Sequence, residues 1–325
     1  MTSNEPVDAV ITWVDGYDNA HQQKLNNYLL KQGIHRPLAA SPTRFNQHGE
    51  IDYCVRSLLY FAPWISTIYI VTDAQVPAII SQLSETVYKN KVKLIDHRDI
   101  FSGFEHCLPT FNSLTIESVL WRIKGIANKF IYLNDDCALI RPVVYEDFFR
   151  KNQVVIRGNW KVFGERKWQN RVKKYLGKHA APNEHRDMQE ASARMALYTR
   201  NFFHLPHVPF AVNKTTIENF FMNSPELLSN NLRFAFRDSQ QFWPISLATH
   251  LEIKNKTAII DNSLEGVMVN GACHSHEKIS KKFQRADKNH KVAFICMQSI
   301  DTAPELTQKM MLNWLASKIP SIDYD

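Results

Sequence analysis

An α/β fold with a mostly parallel sheet is predicted by two features of the sequence: β-branched apolar runs that alternate with helix-like stretches, and acidic residues that follow three of those runs. The runs are Val7 to Val14, Ile65 to Val71, Val92 to Ile95 and Phe130 to Leu133, and they read as buried strands. Helix-like stretches lie between them, from Asn19 to Lys31, from Ile51 to Tyr60 and from Asn112 to Ile123. The last carries apolar residues at Leu114, Ile116, Val119, Leu120 and Ile123. Strand and helix alternating at this spacing implies a doubly wound sheet, with ligands gathered at its carboxyl edge.

Val14 runs into Asp15-Gly16, Val71 into Thr72-Asp73, and Leu133 into Asn134-Asp135-Asp136. Loops after parallel strands share one edge of the sheet, so these carboxylates are expected to converge on one cleft. For Asp73 a turn or capping role is the favoured reading. Adjacent Asp135 and Asp136 after a hydrophobic strand are harder to explain by capping.

The second half is less regular. A basic, Trp-containing segment surrounds Trp160 and Trp168, and a helix is expected from Asp187 to Leu197. Prolines at 206 and 209 then hold His204-Leu205-Pro206-His207 in an extended, non-helical path. A helix is expected from about Thr215, a strand from Val292 to Met297 and an amphipathic helix from Pro304 to Ile319. No Gly- or Pro-rich linker divides the chain, so its 325 residues are read as one catalytic unit with a basic insertion.

Apolar content of 44%, 11% aromatics and 22% charged residues are those of ordinary enzymes. No apolar run is long enough to span a membrane, and the start lacks the pattern of a signal peptide, so a cytoplasmic location is expected. Five scattered cysteines without a CxxC pair support neither a disulfide framework nor a zinc cluster, and are read as reduced core residues. Residues 151–200 hold 12 basic against 4 acidic side chains, which suits an anionic partner. No zinc-finger, RNP or KH pattern supports nucleic acid as that partner.

Asp135 and Asp136 are ligands of the type a hard divalent cation takes. His204, His207, Arg233 and Arg237 are candidates for a proton acceptor and for cationic donors toward phosphate.

Ile11-Thr12-Trp13-Val14-Asp15-Gly16 resembles the first motif of the Stealth family of sugar-phosphate transferases, a strand followed by TWVDG. Arg44-Phe45, Gly49-Glu50-Ile51, Tyr53, Val55-Arg56-Ser57 and Ala62-Pro63-Trp64-Ile65, leading into Ile68 to Asp73, are closely similar to its second. Tyr132 to Asp136 resembles its YLNDD segment, and His204 to His207 with Arg237 its third region. The resemblance implies a GT-A-like nucleotide-sugar-binding core in residues 1–150, a basic, largely helical insertion in 151–200, and the remaining catalytic motifs in 201–325. It implies transfer of hexose 1-phosphate or N-acetylhexosamine 1-phosphate from a UDP-sugar to a glycan or lipid-linked glycan hydroxyl, with Mg²⁺ or Mn²⁺. Bacterial members make cell-surface polysaccharides, which also suggests peripheral contact with the inner membrane surface.

Carried over by position, Asp15 would lie at the nucleotide-sugar site with Glu50 and Arg56 supporting it. Asp135 and Asp136 would bind the metal or poise the acceptor. His204 or His207 would act at the transferred phosphate, with His204 preferred as the first His of the motif, and Arg237 would neutralise it. Gln240-Gln241 stand where relatives often carry acids, and Phe294 to Gln298 reaches Asp301 late, so no role is assigned to Asp301. Two rival functions stay open: a glycosyltransferase forming a glycosidic bond, and a non-catalytic glycan-binding protein.

Overall fold

The computed structural model describes residues 5–166 and 184–322. The strands β1 (Val7–Thr12), β2 (Ile68–Thr72), β3 (Val92–Asp96) and β4 (Lys129–Asn134) form a parallel sheet in the order β4-β1-β2-β3, and Phe210–Asn213 adds an antiparallel edge to β4. All of β2 and five of the six residues in each of β1 and β4 are buried, as expected of strands covered on both faces. The core runs without interruption from Val7 to Ile319, through the sheet and into the C-terminal helix Glu305–Lys318.

The strand order reverses at β1, because the chain moves from β1 to β2 and β3 on one side and then returns to place β4 on the other. Thr12 pairs with Asn134 in the β1–β4 register, so the residues that follow, Trp13-Val14 and Asp135-Asp136, leave the sheet together. That is the topological switch point, where a crevice opens in doubly wound sheets.

A second sheet joins Glu265–Asn270, Val292–Gln298 and Cys137–Leu139. It is tied to the first where the Met297 N–H donates to the Asp136 carbonyl at 2.8 Å. Within the basic segment, Gln153–Ile156 and Asn159–Val162 are strands and Glu184–Met195 is a helix. Asn159–Val162 pairs with Asn201–His204, which carries the first histidine of the His-Leu-Pro-His loop. Trp168, Arg171, Lys173 and Lys174, part of the expected basic surface, lie outside the described residues.

The expected helix from Asn112 to Ile123 is interrupted. Asn112 caps Ser113–Glu117 by accepting from the Leu114 N–H, and a separate short turn covers Leu120–Arg122. The Ser118 hydroxyl bonds back to the Leu114 carbonyl at 2.7 Å, and the Trp121 indole takes the Ser118 carbonyl. These local bonds compete with the helical ladder. Among the described residues no helix is long and apolar enough to cross a membrane.

Candidate active site

A cleft of about 580 Å³ opens at the switch point. Thr12, Trp13 and Val14 line it from the end of β1, Asn134, Asp135 and Asp136 from the end of β4, and Met297 to Ser299 from the second sheet. His185, His207 and Arg237 come from the second half of the chain, and Thr43 to Asn46 with Glu50 from the segment after the first helix.

The loop after β1 fits because Gly16 has no side chain. Its N–H donates to the Phe45 carbonyl at 2.7 Å, and a Cβ there would sit 2.7 Å from the Phe45 Cβ and 2.8 Å from its carbonyl carbon. Asp301 holds the facing segment. Its two carboxylate oxygens accept from the Thr43 hydroxyl at 2.9 Å and the Asn46 amide at 3.0 Å. Residues 258 and 255 positions apart are joined this way, which no local pattern in the sequence could reveal.

Asp135, Asp136 and Glu50 form an acidic group on the cleft. Burial first, then the charges of Asp136 and Glu50, push the Asp135 carboxyl well above its ordinary range. Burial also raises Glu50, opposed mainly by the His48 N–H that donates to its carboxylate. Carboxylates that repel one another are groups whose charge a hard divalent cation would offset. Cys137 and Cys296 flank Asp136, with ligand-capable atoms of all three within 4.8 Å of one another, and the Cys137 thiol donates to Asp136 Oδ1 at 3.4 Å. Both thiols are buried.

Of the two motif histidines, His207 lines the cleft. Residues three apart on an extended chain face different sides, and His204 instead lies against Phe202 and His185, outside the lining set. The sequence preference for His204 as the residue at the cleft is therefore replaced by His207. Burial lowers the His207 imidazole, while Asp136 opposes and Arg237 adds to that shift. His204 is lowered to about 4 by burial and then by Lys161.

His185 was not foreseen. Its ring stacks on His207 at 4.5 Å between centroids and meets Trp243 at 5.6 Å. The Gln189 side chain lies 3.2 Å from its Nδ1 and also accepts from the Leu205 N–H at 2.7 Å, joining the helix Glu184–Met195 to the His-Leu-Pro-His loop. A shared helix face for His185 and Gln189 is readable from their spacing of four; its docking against that loop is not.

Arg237 lines the cleft and donates to the Ser113 hydroxyl at 2.8 Å. Arg233 does not line it and bonds Gln240 at 2.7 Å. Gln241, in place of an acid, is a buried hub bonded to Asn112, Thr115 and Asn231. Asp15 is also outside the lining set: its carboxylate accepts from the Tyr17 N–H at 2.9 Å, and Gln75 holds its backbone at both ends. Arg56 does not join Glu50. Six residues along a helix turn it roughly 240° away, and its guanidinium packs over the Tyr53 ring at 4.4 Å. Asp73 lines the cleft and pairs with Lys24 at 2.6 Å rather than capping a helix.

The buried Trp13 Nε1, His21 Nε2, His97 Nδ1 and Thr110 Oγ1 have no hydrogen-bond partner among the described residues, and all four residues line the cleft, as Asp73 does. Phe45 and Phe111 pack around His21 there. Buried polar atoms left unmatched beside aromatic rings mark a place where a ligand can supply the partners.

Residues 5–33 match the family model Stealth protein conserved region 1, and residues 44–156 match Stealth protein conserved region 2. An exopolysaccharide phosphotransferase of Streptomyces coelicolor is 36% identical over 245 residues, covering 74% of this chain and 42% of that protein. A capsular polysaccharide phosphotransferase of Actinobacillus suis is 39% identical over 149 residues, covering 46% of this chain and 39% of that protein. The chain thus spans less than half the length of these relatives. A galactosyltransferase solved with donor and acceptor sugar analogues aligns over 97% of this chain and 98% of its own, at 12% identity and a TM-score of 0.46. The chain thus carries both of these Stealth conserved regions, in order, across the ends of β1 and β4 that line the cleft.

Proposed function

We propose that this chain transfers a sugar 1-phosphate, hexose or N-acetylhexosamine, from a UDP-sugar to a glycan hydroxyl, forming a phosphodiester in a cell-surface polysaccharide. The observation that carries the reading is the meeting of Asp135 and Asp136 with His207 and Arg237 in one cleft at the switch point of the sheet. The names of the phosphotransferase relatives agree with it.

In this reaction the acceptor oxygen attacks the sugar-side phosphorus, the bond from that phosphorus to the oxygen bridging the two phosphates breaks, and UMP leaves. His207, kept neutral by burial, takes the hydroxyl proton, and Arg237 faces the charge on the phosphoryl oxygens. A divalent cation held by Asp135 and Asp136 would offset the pyrophosphate charge. The unmatched polar atoms of Trp13, His21, His97 and Thr110 suit the base and ribose of the nucleotide. Asp15, outside the lining set, supports this end through the turn it closes with Tyr17. The excess of basic residues in 151–200 suits an anionic acceptor, or the membrane surface that carries it.

Incubation with a divalent cation, glycan acceptor and, in turn, UDP-GlcNAc, UDP-GalNAc, UDP-Gal and UDP-Glc tests the reading. UMP release with one of them is the expected result. UDP release with a glycosidic product would replace it with glycosyl transfer, and acceptor binding without turnover would make the chain a glycan-binding protein.

A further inference from the structure

Beneath the cleft lies a carboxylate that belongs to none of the assigned motifs. Glu117, the last residue of the helix Ser113–Glu117, is 4% exposed and does not line the cavity. Its Oε2 accepts from the Trp243 indole at 2.5 Å. The Ser113 and Tyr132 hydroxyls and the Arg237 guanidinium all favour its ionised form. Each neighbour leads to a different part of the cleft. Arg237 is bonded to Ser113 at 2.8 Å. The Tyr132 hydroxyl, in the centre of β4, bonds Asn134 Oδ1 at 2.9 Å and Thr12 Oγ1 at 3.0 Å, at the ends of β4 and β1. The Trp243 ring meets His185, which stacks on His207.

Resting on the phosphoryl-transfer reading, we propose that Glu117 is the positioning residue of this cleft: a buried counter-charge to Arg237 that fixes the guanidinium, the Trp243 ring against the His185–His207 stack, and the acid-bearing strand end in one arrangement.

Packing alone does not require a carboxylate here, since a neutral amide could accept from Trp243, and burying a charge is costly unless it is paired. The positive charge of Arg237 favours the ionised carboxylate. Burial pushes the Glu117 carboxyl up to about 7, against the pull of Trp243, Arg237, Tyr132 and Ser113. The charged or titratable groups facing it are thus Arg237 and Tyr132. If the ionised form holds Arg237, turnover rises with pH through the neutral range.

Glu117→Gln in the full chain, with Trp243→Phe as a second variant, tests the assignment. Glu117→Gln is expected to unfold cooperatively, to lose on the order of 10-fold or more in kcat for UMP release, to change donor KM by less than about 3-fold, and to lose the neutral rise with pH. Trp243→Phe removes a donor to the carboxylate, so the rise should move to higher pH. Folded variants with wild-type kcat and pH profiles would overturn the proposal; if Glu117→Gln does not fold, Trp243→Phe decides. Should the wild type release UMP from no UDP-sugar, the function proposed above fails on its own, and the Trp243 indole N–H resonance still reads the residue. It should titrate in the neutral range in the wild type and not in Glu117→Gln; an indole that does not titrate would overturn the assignment.

Discussion

Asp135 and Asp136 are neighbours in sequence with different surroundings. Asp136 lines the cleft, presents its backbone carbonyl to the second sheet and accepts from the Cys137 thiol on its carboxylate, while the Asp135 carboxyl is forced up by burial and by two nearby acids. Asp136→Asn should lose activity by on the order of 10²-fold or more with the fold intact, as removal of a charged partner of the reaction does; near-wild-type turnover would free Asp136 from the chemistry. The acid pair was legible because its place after a hydrophobic strand fixes which sheet edge it occupies. The choice between His204 and His207 was not, because it depends on which side of an extended loop meets the cleft. His207→Ala is expected to cut kcat sharply while His204→Ala leaves it closer to wild type. The opposite order, read in steady-state kinetics, would return the role to His204. Glu117 and His185 stayed hidden because their partners, Trp243 and the His-Leu-Pro-His loop, are brought to them only by tertiary packing.

At the scale of elements, the joint between the helix Pro244–Lys254 and the strand Asn201–His204 rests on His250. This fully buried ring donates from Nδ1 to the Ser246 carbonyl at 2.6 Å and accepts the Phe203 N–H on Nε2 at 2.9 Å, so it must be neutral. Its pKa is lowered to about 4 by burial. The unfolded chain takes up this proton near pH 6.5 and the native chain does not, so the stabilisation is complete above about 6.5 and is lost as pH falls toward 4. It amounts to about 3 kcal/mol at one pKa unit per 1.36 kcal/mol. Denaturant unfolding should therefore weaken over that interval, and His250→Ala should lower stability by about 2 kcal/mol or more at neutral pH by orphaning the Phe203 N–H. Unchanged stability in that variant would contradict the joint. The facing segment 43–46 depends on Asp301 in a similar way. Asp301→Ala should raise donor KM more than it lowers kcat; the reverse split would give Asp301 a part in the chemistry.

For the molecule as a whole, the α/β class and its parallel strands were readable because β1, β2 and β4 are almost wholly buried and read as apolar runs. Even β3, in which only Val92 is buried and Lys93 is exposed, kept its expected bounds to within a residue. The strand order was not readable, since apolar runs do not say which neighbour they pair with, and the reversal at β1 is what makes the cleft. Chelation should abolish turnover and Mg²⁺ or Mn²⁺ restore it, because the acidic group would otherwise repel the donor pyrophosphate; full turnover in excess EDTA would remove the metal. The most direct measurement follows the phosphorus itself, using a UDP-sugar radiolabelled in its sugar-side phosphate. Sugar-phosphate transfer moves the label into the glycan and releases unlabelled UMP, whereas label left in released UDP, with the sugar alone on the glycan, would contradict the account.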